Sequence, residues 1–302
     1  MTTRIHHFAL SSVIFASLLA GVSTAHGEES TLPEQARLEF SMSDTEGESD
    51  RFQLFQDIDI TFMPGAWLTR MRGHITLGPS PAAAPVNIET GLDLRDMQAT
   101  FLGELEISKF ETFTLTFTGF NFTVDGSGTF PFSGMFGPIT LVPGAAYTSD
   151  FELTSYSAEL SVGVWRPLRA LRGRPIDFSL SPLFAARFID ADMSVVSGAV
   201  TATAGGEWLV PLVGVRAEVT LYPNREIFLI SGLKLDAAGA LGPAIGGDGG
   251  FVYQVRAGIT ASITENIGAT FGYRLIDMDI EDGPLTLDTQ LAGLFLGGWI
   301  RF

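Results

Sequence analysis

The chain has 302 residues, the size of two ordinary domains or of one large all-β domain. It is 46% hydrophobic and only 17% charged, with a formal net charge of −16 and no cysteine. This composition excludes a disordered chain, a disulfide scaffold and a thiolate zinc site. The few basic residues are scattered, so no nucleic-acid partner is expected. The 34 glycines and 24 phenylalanines favour strands and turns over helices.

The first 27 residues have the organisation of a secretory signal peptide. Arg4 precedes an apolar run, 8–22, which is followed by small residues that allow cleavage. The run is about 15 residues, shorter than the roughly 20 that a spanning helix needs, so removal is preferred to an N-terminal anchor. Residues 28–56 are charged and polar, and we expect a periplasmic N-terminal extension there. Residues 57–302 form the predicted main domain.

Apolar and polar residues alternate with period two along the main domain. The alternation is clearest at 251–264, where one face is apolar and the other polar. Several such segments are long enough to cross a hydrocarbon core as tilted strands. An even count of ten fits a single-chain barrel, and eight and twelve are the alternatives. The ten segments are 57–77, 98–108, 112–124, 150–165, 176–189, 206–222, 226–236, 250–264, 267–280 and 285–302.

The connections between these segments alternate between long and short. Long ones are predicted at 78–97, 125–149, 190–205 and 237–249, as in barrels with long outer loops and tight periplasmic turns. The fold class is therefore all-β, a closed antiparallel up-and-down transmembrane β-barrel. A soluble ligand-binding barrel also alternates. The polar face here is rich in Gly, Ser and Thr, and the chain has only two lysines, which favours a crowded lumen over a wet exterior.

The last segments carry a family resemblance. Gly293–Phe302 ends on an aromatic residue, Gly272–Asp277 precedes it, and the first segment contains Gly65-Ala66-Trp67 and Gly73. These features resemble the small outer-membrane β-barrel proteins of Gram-negative bacteria. The resemblance implies location in the bacterial outer membrane and contact with its lipid. It also implies biogenesis by periplasmic chaperones and the barrel-assembly machinery, with Phe302 as the assembly signal. It implies no catalytic or cofactor-binding residues.

If the apolar face meets lipid, the opposite face places charged residues of both signs in the lumen. Acids lie on earlier strands and bases on later ones, so closure of the barrel is expected to pair them. Such a network fills and shapes a small lumen, or it forms a charged constriction for small solutes. Structural support and a narrow solute passage are therefore the two expected roles. The expected lumen residues are Glu104, Glu106, Glu159, Glu218, Arg187, Arg216, Lys234, Arg256, Arg274 and Arg301.

The second outer connection contains an unusually apolar stretch. Residues 127–142 include Phe130, Phe136 and Leu141, and an apolar loop at the cell surface needs an explanation. Three explanations are open: a plug over the barrel mouth, contact with lipid at the rim, or a binding site for a partner. The last would make the protein a surface receptor or adhesin that acts through its outer loops.

Two groups of residues are weaker candidates for chemistry. The acidic run with Asp277, Asp279 and Asp282 supplies oxygen ligands for a divalent cation, but it departs from the calcium-loop pattern, so a solvated rim is preferred.

An outer-membrane hydrolase is the enzyme alternative, because His74 would lie near the outer end of the first strand with Asp93 and Asp96 in the next loop. One histidine beside two acids is a weak pattern, and no other catalytic motif occurs. We therefore expect neither a cofactor nor a resident metal.

Overall fold

The computed structural model of the chain is nearly all β. Residues 1–57 lie outside the part of the chain that the structure describes, so the signal peptide and the N-terminal extension stay predictions. Among the described residues, no helix has the length and hydropathy needed to cross a membrane. The described residues are 58–78, 83–109, 113–163, 165, 176–221 and 230–302.

Ten of the described strands form one closed barrel. Each barrel strand pairs antiparallel with the next along the chain, and the first pairs with the last, with Trp67 opposite Phe295. The predicted ten-stranded up-and-down barrel is confirmed. In chain order the elements are β1 (Ile58–Leu77), β2 (Val86–Asn87), α1 (Ile88–Gly91), β3 (Gln98–Lys109), β4 (Phe113–Thr129), β5 (Gly134–Phe136), β6 (Ile139–Leu141), β7 (Ala146–Val162), β8 (Ile176–Ser197), β9 (Val200–Leu221), β10 (Gly232–Pro243), β11 (Gly249–Ser262), β12 (Ile267–Asp282) and β13 (Leu285–Arg301). All strands except β2, β5 and β6 belong to the barrel.

The short elements lie in two connections at one end of the barrel, which we call the outer end. β2 pairs with the last part of β1, and α1 follows it directly. The side chain of Asn87 accepts a hydrogen bond of 2.9 Å from the N–H of Thr90 and so caps α1. β5 and β6 form a small hairpin between β4 and β7. We call the opposite end, where β1 begins and β13 ends, the periplasmic end.

The outer connections are shorter than predicted because the strands continue into them. The predicted loop 190–205 is wrong: β8 and β9 remain paired throughout and turn at Gly198, whose φ is 61°. The predicted loop 125–149 also loses residues at both ends to β4 and β7. The segment predicted at 226–236 is observed as Gly232–Pro243, which shortens the next loop. Continued pairing satisfies backbone N–H and C=O groups that a loop would leave to water.

An apolar belt surrounds the periplasmic part of the barrel. On β8 the outward side chains from Phe178 to Phe188 are apolar, and on β12 the same holds from Ile267 to Leu275. Stretches of nine to eleven tilted residues span roughly 25 Å, the height of a membrane barrel's apolar band. Exposed aromatic residues mark both edges of the belt, as in membrane barrels. They are Phe113, Trp165 and Phe302 at the periplasmic edge and Phe101, Tyr156 and Tyr253 at the outer edge.

Above the belt the polarity of both faces reverses. On β8 Arg187 points inward and Phe188 outward, whereas the next pair, Ile189 and Asp190, has the apolar residue inside and the acid outside. We call the part with the apolar exterior the membrane half and the part beyond this boundary the outer half. The outer half is therefore built like a water-soluble barrel, with a dry interior and a polar surface.

The interior of the outer half is a continuous apolar core. At the lower limit of this core, Trp67 packs edge to face on Phe120, with ring centroids 5.0 Å apart. The β5–β6 hairpin closes the top, because Phe136, Ile139 and Leu141 are buried in the same core. Of the three explanations for the apolar stretch, the structure therefore has the plug. Other buried members are Met71, Ile75, Phe122, Phe130, Phe151, Ile189, Trp208, Val252, Met278 and Leu287.

Candidate functional site

The lumen of the membrane half holds a network of charged and polar side chains. They come from β3, β7, β8, β9, β10, β11 and β12, and period two places each of them on the inward face of its strand. We call this group the lumen network. Its members are Glu104, Glu106, Glu159, Arg187, Arg216, Glu218, Lys234, Asp236, Gln254, Arg256 and Arg274.

Glu104 is the centre of the first part of the lumen network. Its Oε2 lies 3.2 Å from Nη1 of Arg256 and 3.1 Å from Nη2 of Arg274. The Glu104 side chain is only 12% exposed, and both arginines are buried. These contacts cross the lumen from β3 to β11 and β12, so one carboxylate joins opposite walls of the barrel.

Arg216 is the centre of the second part. Its Nη2 lies 2.8 Å from Glu218 and 3.3 Å from Glu106, and the ammonium of Lys234 lies 3.1 Å from the same Glu218 oxygen. Asp236 lies 3.6 Å from Nε of Arg256 and links this part to the first. Each of the four ions of this second part, Glu106, Arg216, Glu218 and Lys234, has an opposite charge in contact, as a low-dielectric lumen requires.

Arg187 forms the upper layer of the network, directly beneath the apolar core. Its Nη1 donates to Oγ of Ser155 at 2.8 Å, and its Nη2 donates to the side-chain oxygen of Gln254. Gln254 in turn donates to Glu159 at 3.0 Å. The buried guanidinium therefore reaches its countercharge through an amide, and the layer separates the polar lumen from the dry core above.

The structure brings together nine of the ten residues expected in the lumen. The exception is Arg301, which is exposed at the periplasmic mouth with its guanidinium 5.6 Å from the Trp299 ring. Sequence reasoning missed Asp236 and Gln254. Both lie two positions from a predicted lumen residue, Lys234 or Arg256, so the period-two count that selected those bases would also have found them.

A polar vestibule lies between the lumen network and the periplasm. This cavity has a volume of about 490 Å³, and Glu106, Arg216, Lys234 and Arg256 line its inner part. Arg301 and Trp299 line it near the mouth. Among the described residues, the network and the apolar core lie above the vestibule, so in this part of the chain it opens toward the periplasmic end. Its size and lining suit water and small polar solutes.

The acidic run on β12 is divided between the two faces of the strand. Asp277 and Asp279 lie on the outer face of the strand, and Asp282 falls on the inner face. Asp277 accepts a hydrogen bond of 3.1 Å from the Gln290 amide. Within the described ranges, no group of three or more His, Cys, Asp or Glu side chains is arranged to hold a metal ion.

The residues of the hydrolase alternative are not gathered in one place. Asp93 and Asp96 line an outer cleft of about 460 Å³ together with Asp125 and Asp150, but His74 is not among the residues that line it. A hydrogen bond with Asp125, with partial burial and nearby negative charge, raises the pKa of Asp150 above its ordinary value. The cleft is thus a site of carboxylate repulsion.

Phe302 lies at the periplasmic end beside the start of β1. Its N–H donates to the carbonyl of Ile60 at 2.9 Å, and its side chain is exposed on the lipid-facing side. This position is compatible with its expected part in assembly, which stays a prediction.

The closed barrel, the apolar belt with aromatic edges and the paired lumen together have the architecture of a membrane-spanning β-barrel. No protein-family model matches the sequence of this chain, and no curated protein is similar to it at the sequence level.

Solved structures of outer-membrane proteins are similar to the chain in fold. The outer membrane protease OmpT of Escherichia coli has 8% identity and a TM-score of 0.45, with 82% of this chain and 97% of OmpT covered. Ail, the attachment invasion locus protein of Yersinia pestis, has 11% identity and a TM-score of 0.35, covering 82% and 100%. The transport unit of the autotransporter AIDA-I from E. coli has 8% identity and a TM-score of 0.35, covering 82% and 89%. At these values no role passes from them to this chain.

Proposed function

We propose that this protein is a structural barrel of the outer membrane with a closed lumen, which holds a folded, acidic outer half above the lipid. The observation that carries this proposal is the apolar core that fills the outer half beneath the β5–β6 hairpin. Of the two roles expected from the sequence, structural support is favoured over a narrow solute passage. The lumen network then stabilises the barrel instead of selecting solutes.

The physical argument concerns the path that a solute would follow. An ion in the vestibule would have to cross the Arg187 layer and then the core that contains Phe122, Phe151 and Trp208. Moving a charge without its water into such an interior costs many kcal/mol. Water itself needs polar partners to occupy a cavity, and these side chains offer almost none.

Planar-bilayer recording tests the closed lumen. A heat-dependent shift in electrophoretic mobility first verifies that the protein is folded. The folded protein is then expected to give no stepwise conductance above the background of the lipid. A mock preparation from cells that lack the gene is the control for contaminating porins, because boiling would unfold such porins as well. Regular conductance steps in the protein sample but not in the mock preparation would contradict the proposal.

A surface receptor for a cationic partner is the second candidate function. On the outer half, carboxylates face each other directly across neighbouring strands: Asp125 with Asp150, Glu152 with Asp192, Asp190 with Glu207, and Asp279 with Asp288. Like charges in such positions destabilise a sheet, so a cationic ligand would relieve their repulsion. The hydrolase alternative has no comparable support, because His74 lies apart from the acidic cleft.

Binding of poly-lysine to the folded protein distinguishes this second candidate. We expect binding that weakens strongly between about 50 and about 200 mM salt, because screening acts on exposed charges. The double variant Asp190→Asn, Glu207→Gln should bind less than the native protein. Equal binding by both proteins at all salt concentrations would eliminate the receptor role for this surface.

A further inference from the structure

Three arginines of the outer half, within the residues that the structure describes, lie in one region of its surface. Arg70 and Arg72 occupy successive outward positions on β1, followed by His74, and Arg95 precedes β3. The other charged residues in this described part are fifteen carboxylates. They are Glu89, Asp93, Asp96, Asp125, Asp150, Glu152, Asp190, Asp192, Glu207, Asp248, Asp277, Asp279, Glu281, Asp282 and Asp288. A basic group on such an acidic surface is a distinct local feature.

The height of this group in the membrane follows from its neighbours. Leu68, one outward position below Arg70, is 44% exposed and belongs to the apolar belt. Ala99 pairs with Leu68 on β3, and the exposed Met97 lies just beyond it. Arg70 is therefore the first polar outward residue above the belt, at the level where lipid headgroups lie.

One carboxylate is shared between the two arginines of β1. Oε1 of Glu89, in α1, lies 3.2 Å from Nη2 of Arg70 and 3.6 Å from Nε of Arg72. Two guanidiniums and one carboxylate together carry a net positive charge, and His74 is the next outward residue on β1. The Arg72 side chain is 58% exposed, and its contact with Glu89 is the longer of the two. An exposed guanidinium can bind a phosphate through two parallel N–H groups.

We propose that Arg70 and Arg72 bind the phosphate of an outer-leaflet lipid headgroup. At the same height on other strands the outward residues include Asp190, Glu207 and Asp277, which would repel a phosphate. The bound lipid is thus held at the β1 side of the barrel. The site is independent of whether the lumen conducts, because it lies on the outer face.

Lipid retention by the purified full-length protein tests this site. Folded protein in a neutral detergent is mixed with phosphatidic acid or with phosphatidylcholine of the same acyl chains, and the bound lipid is counted by native mass spectrometry. We expect preferential retention of phosphatidic acid. The double variant Arg70→Gln, Arg72→Gln should lose about tenfold in affinity or more, as expected for the loss of charge-assisted hydrogen bonds.

Two further variants separate a specific site from general effects. Glu89→Gln removes the competing carboxylate and should increase retention of phosphatidic acid, a gain that misfolding cannot imitate. Arg95→Gln changes a charge in the same region, but Arg95 is paired with Asp93 at 3.0 Å, so retention should stay at the native level. Unchanged retention in the double variant, or an equal loss in Arg95→Gln, would overturn the proposal.

The source of the phosphate is tested by competition. Inorganic phosphate at the same concentration as the lipid should not displace phosphatidic acid, because a lipid also gains contact with the belt around Leu68 and Met97. Displacement at equal concentration would show a site for free phosphate and would contradict a lipid site.

Discussion

Replacement of Glu104 by glutamine is expected to destabilise the folded barrel by about 3–5 kcal/mol, the usual cost of removing one partner from a buried ion pair. Glu104 contacts Arg256 and Arg274 at 3.2 and 3.1 Å. Without its charge, the guanidiniums of Arg256 and Arg274, which are directly paired on the neighbouring strands β11 and β12, repel each other in the lumen. The substituted amide would retain the shape of the side chain and some of its hydrogen bonding, so the effect isolates the lost charge.

Denaturant unfolding in lipid vesicles, followed by tryptophan fluorescence and heat-dependent mobility, measures this change. Glu207→Gln is the matched control, because Glu207 is exposed on the outer half and its replacement should change stability by less than about 0.5 kcal/mol. Addition of Arg274→Met to Glu104→Gln should recover part of the loss, because one uncompensated charge is then removed. Equal stability of Glu104→Gln and the native protein would refute the role assigned to the lumen network.

Replacement of Trp208 by alanine should destabilise the outer half by about 3–5 kcal/mol, the range for truncation of a large aromatic residue in a core. Trp208 is fully buried, and its indole N–H donates to the carbonyl of Glu281 at 3.1 Å, which ties β9 to β12 through the interior. Alanine would leave a cavity in the dry core and remove one of the two hydrogen bonds that the Glu281 carbonyl accepts, the other coming from the N–H of Asp248 at 2.9 Å.

Leu209→Ala is the matched control for this variant. Leu209 is the next residue along β9, but it points outward and is 40% exposed, so its truncation should cost about 1 kcal/mol or less. Limited proteolysis should show the location of the damage, with cleavage of Trp208→Ala in the outer connections before any loss of the membrane half. A variant as resistant as Leu209→Ala would mean that the outer core contributes little stability.

Strand number was predictable because alternation is independent of which face meets lipid. The reversal of polarity could not be predicted in the same way, because a strand with apolar residues outside and a strand with apolar residues inside have the same period. At the boundary on β8, Phe188 and Ile189 are adjacent apolar residues that shift the phase of the pattern. This phase shift coincides with the predicted end of the strand at residue 189, where the structure has eight more paired residues.

The members of the lumen network were largely predictable, whereas their partners were not. Inward position follows from counting along a strand, but Glu104 and Arg274 are 170 residues apart, and only barrel closure decides that they meet. Arg301 has the correct parity but is exposed at the mouth, where its guanidinium lies 5.6 Å from the Trp299 ring. The lipid-phosphate site also depends on height above the belt, which no alternation pattern contains.

The reversal of polarity also fixes how deep the protein lies in the bilayer. If the barrel moved toward the periplasm by one residue pair, Asp190, Glu207 and Asp277 would enter the hydrocarbon of the bilayer. If it moved the same distance outward, Phe188 and the other apolar residues at the upper edge of the belt would enter water. Each misplaced group adds to the same restoring free energy, and the groups lie on different sides of the barrel, so tilting is opposed as well. The outer half is therefore held at a constant height and orientation relative to the membrane surface.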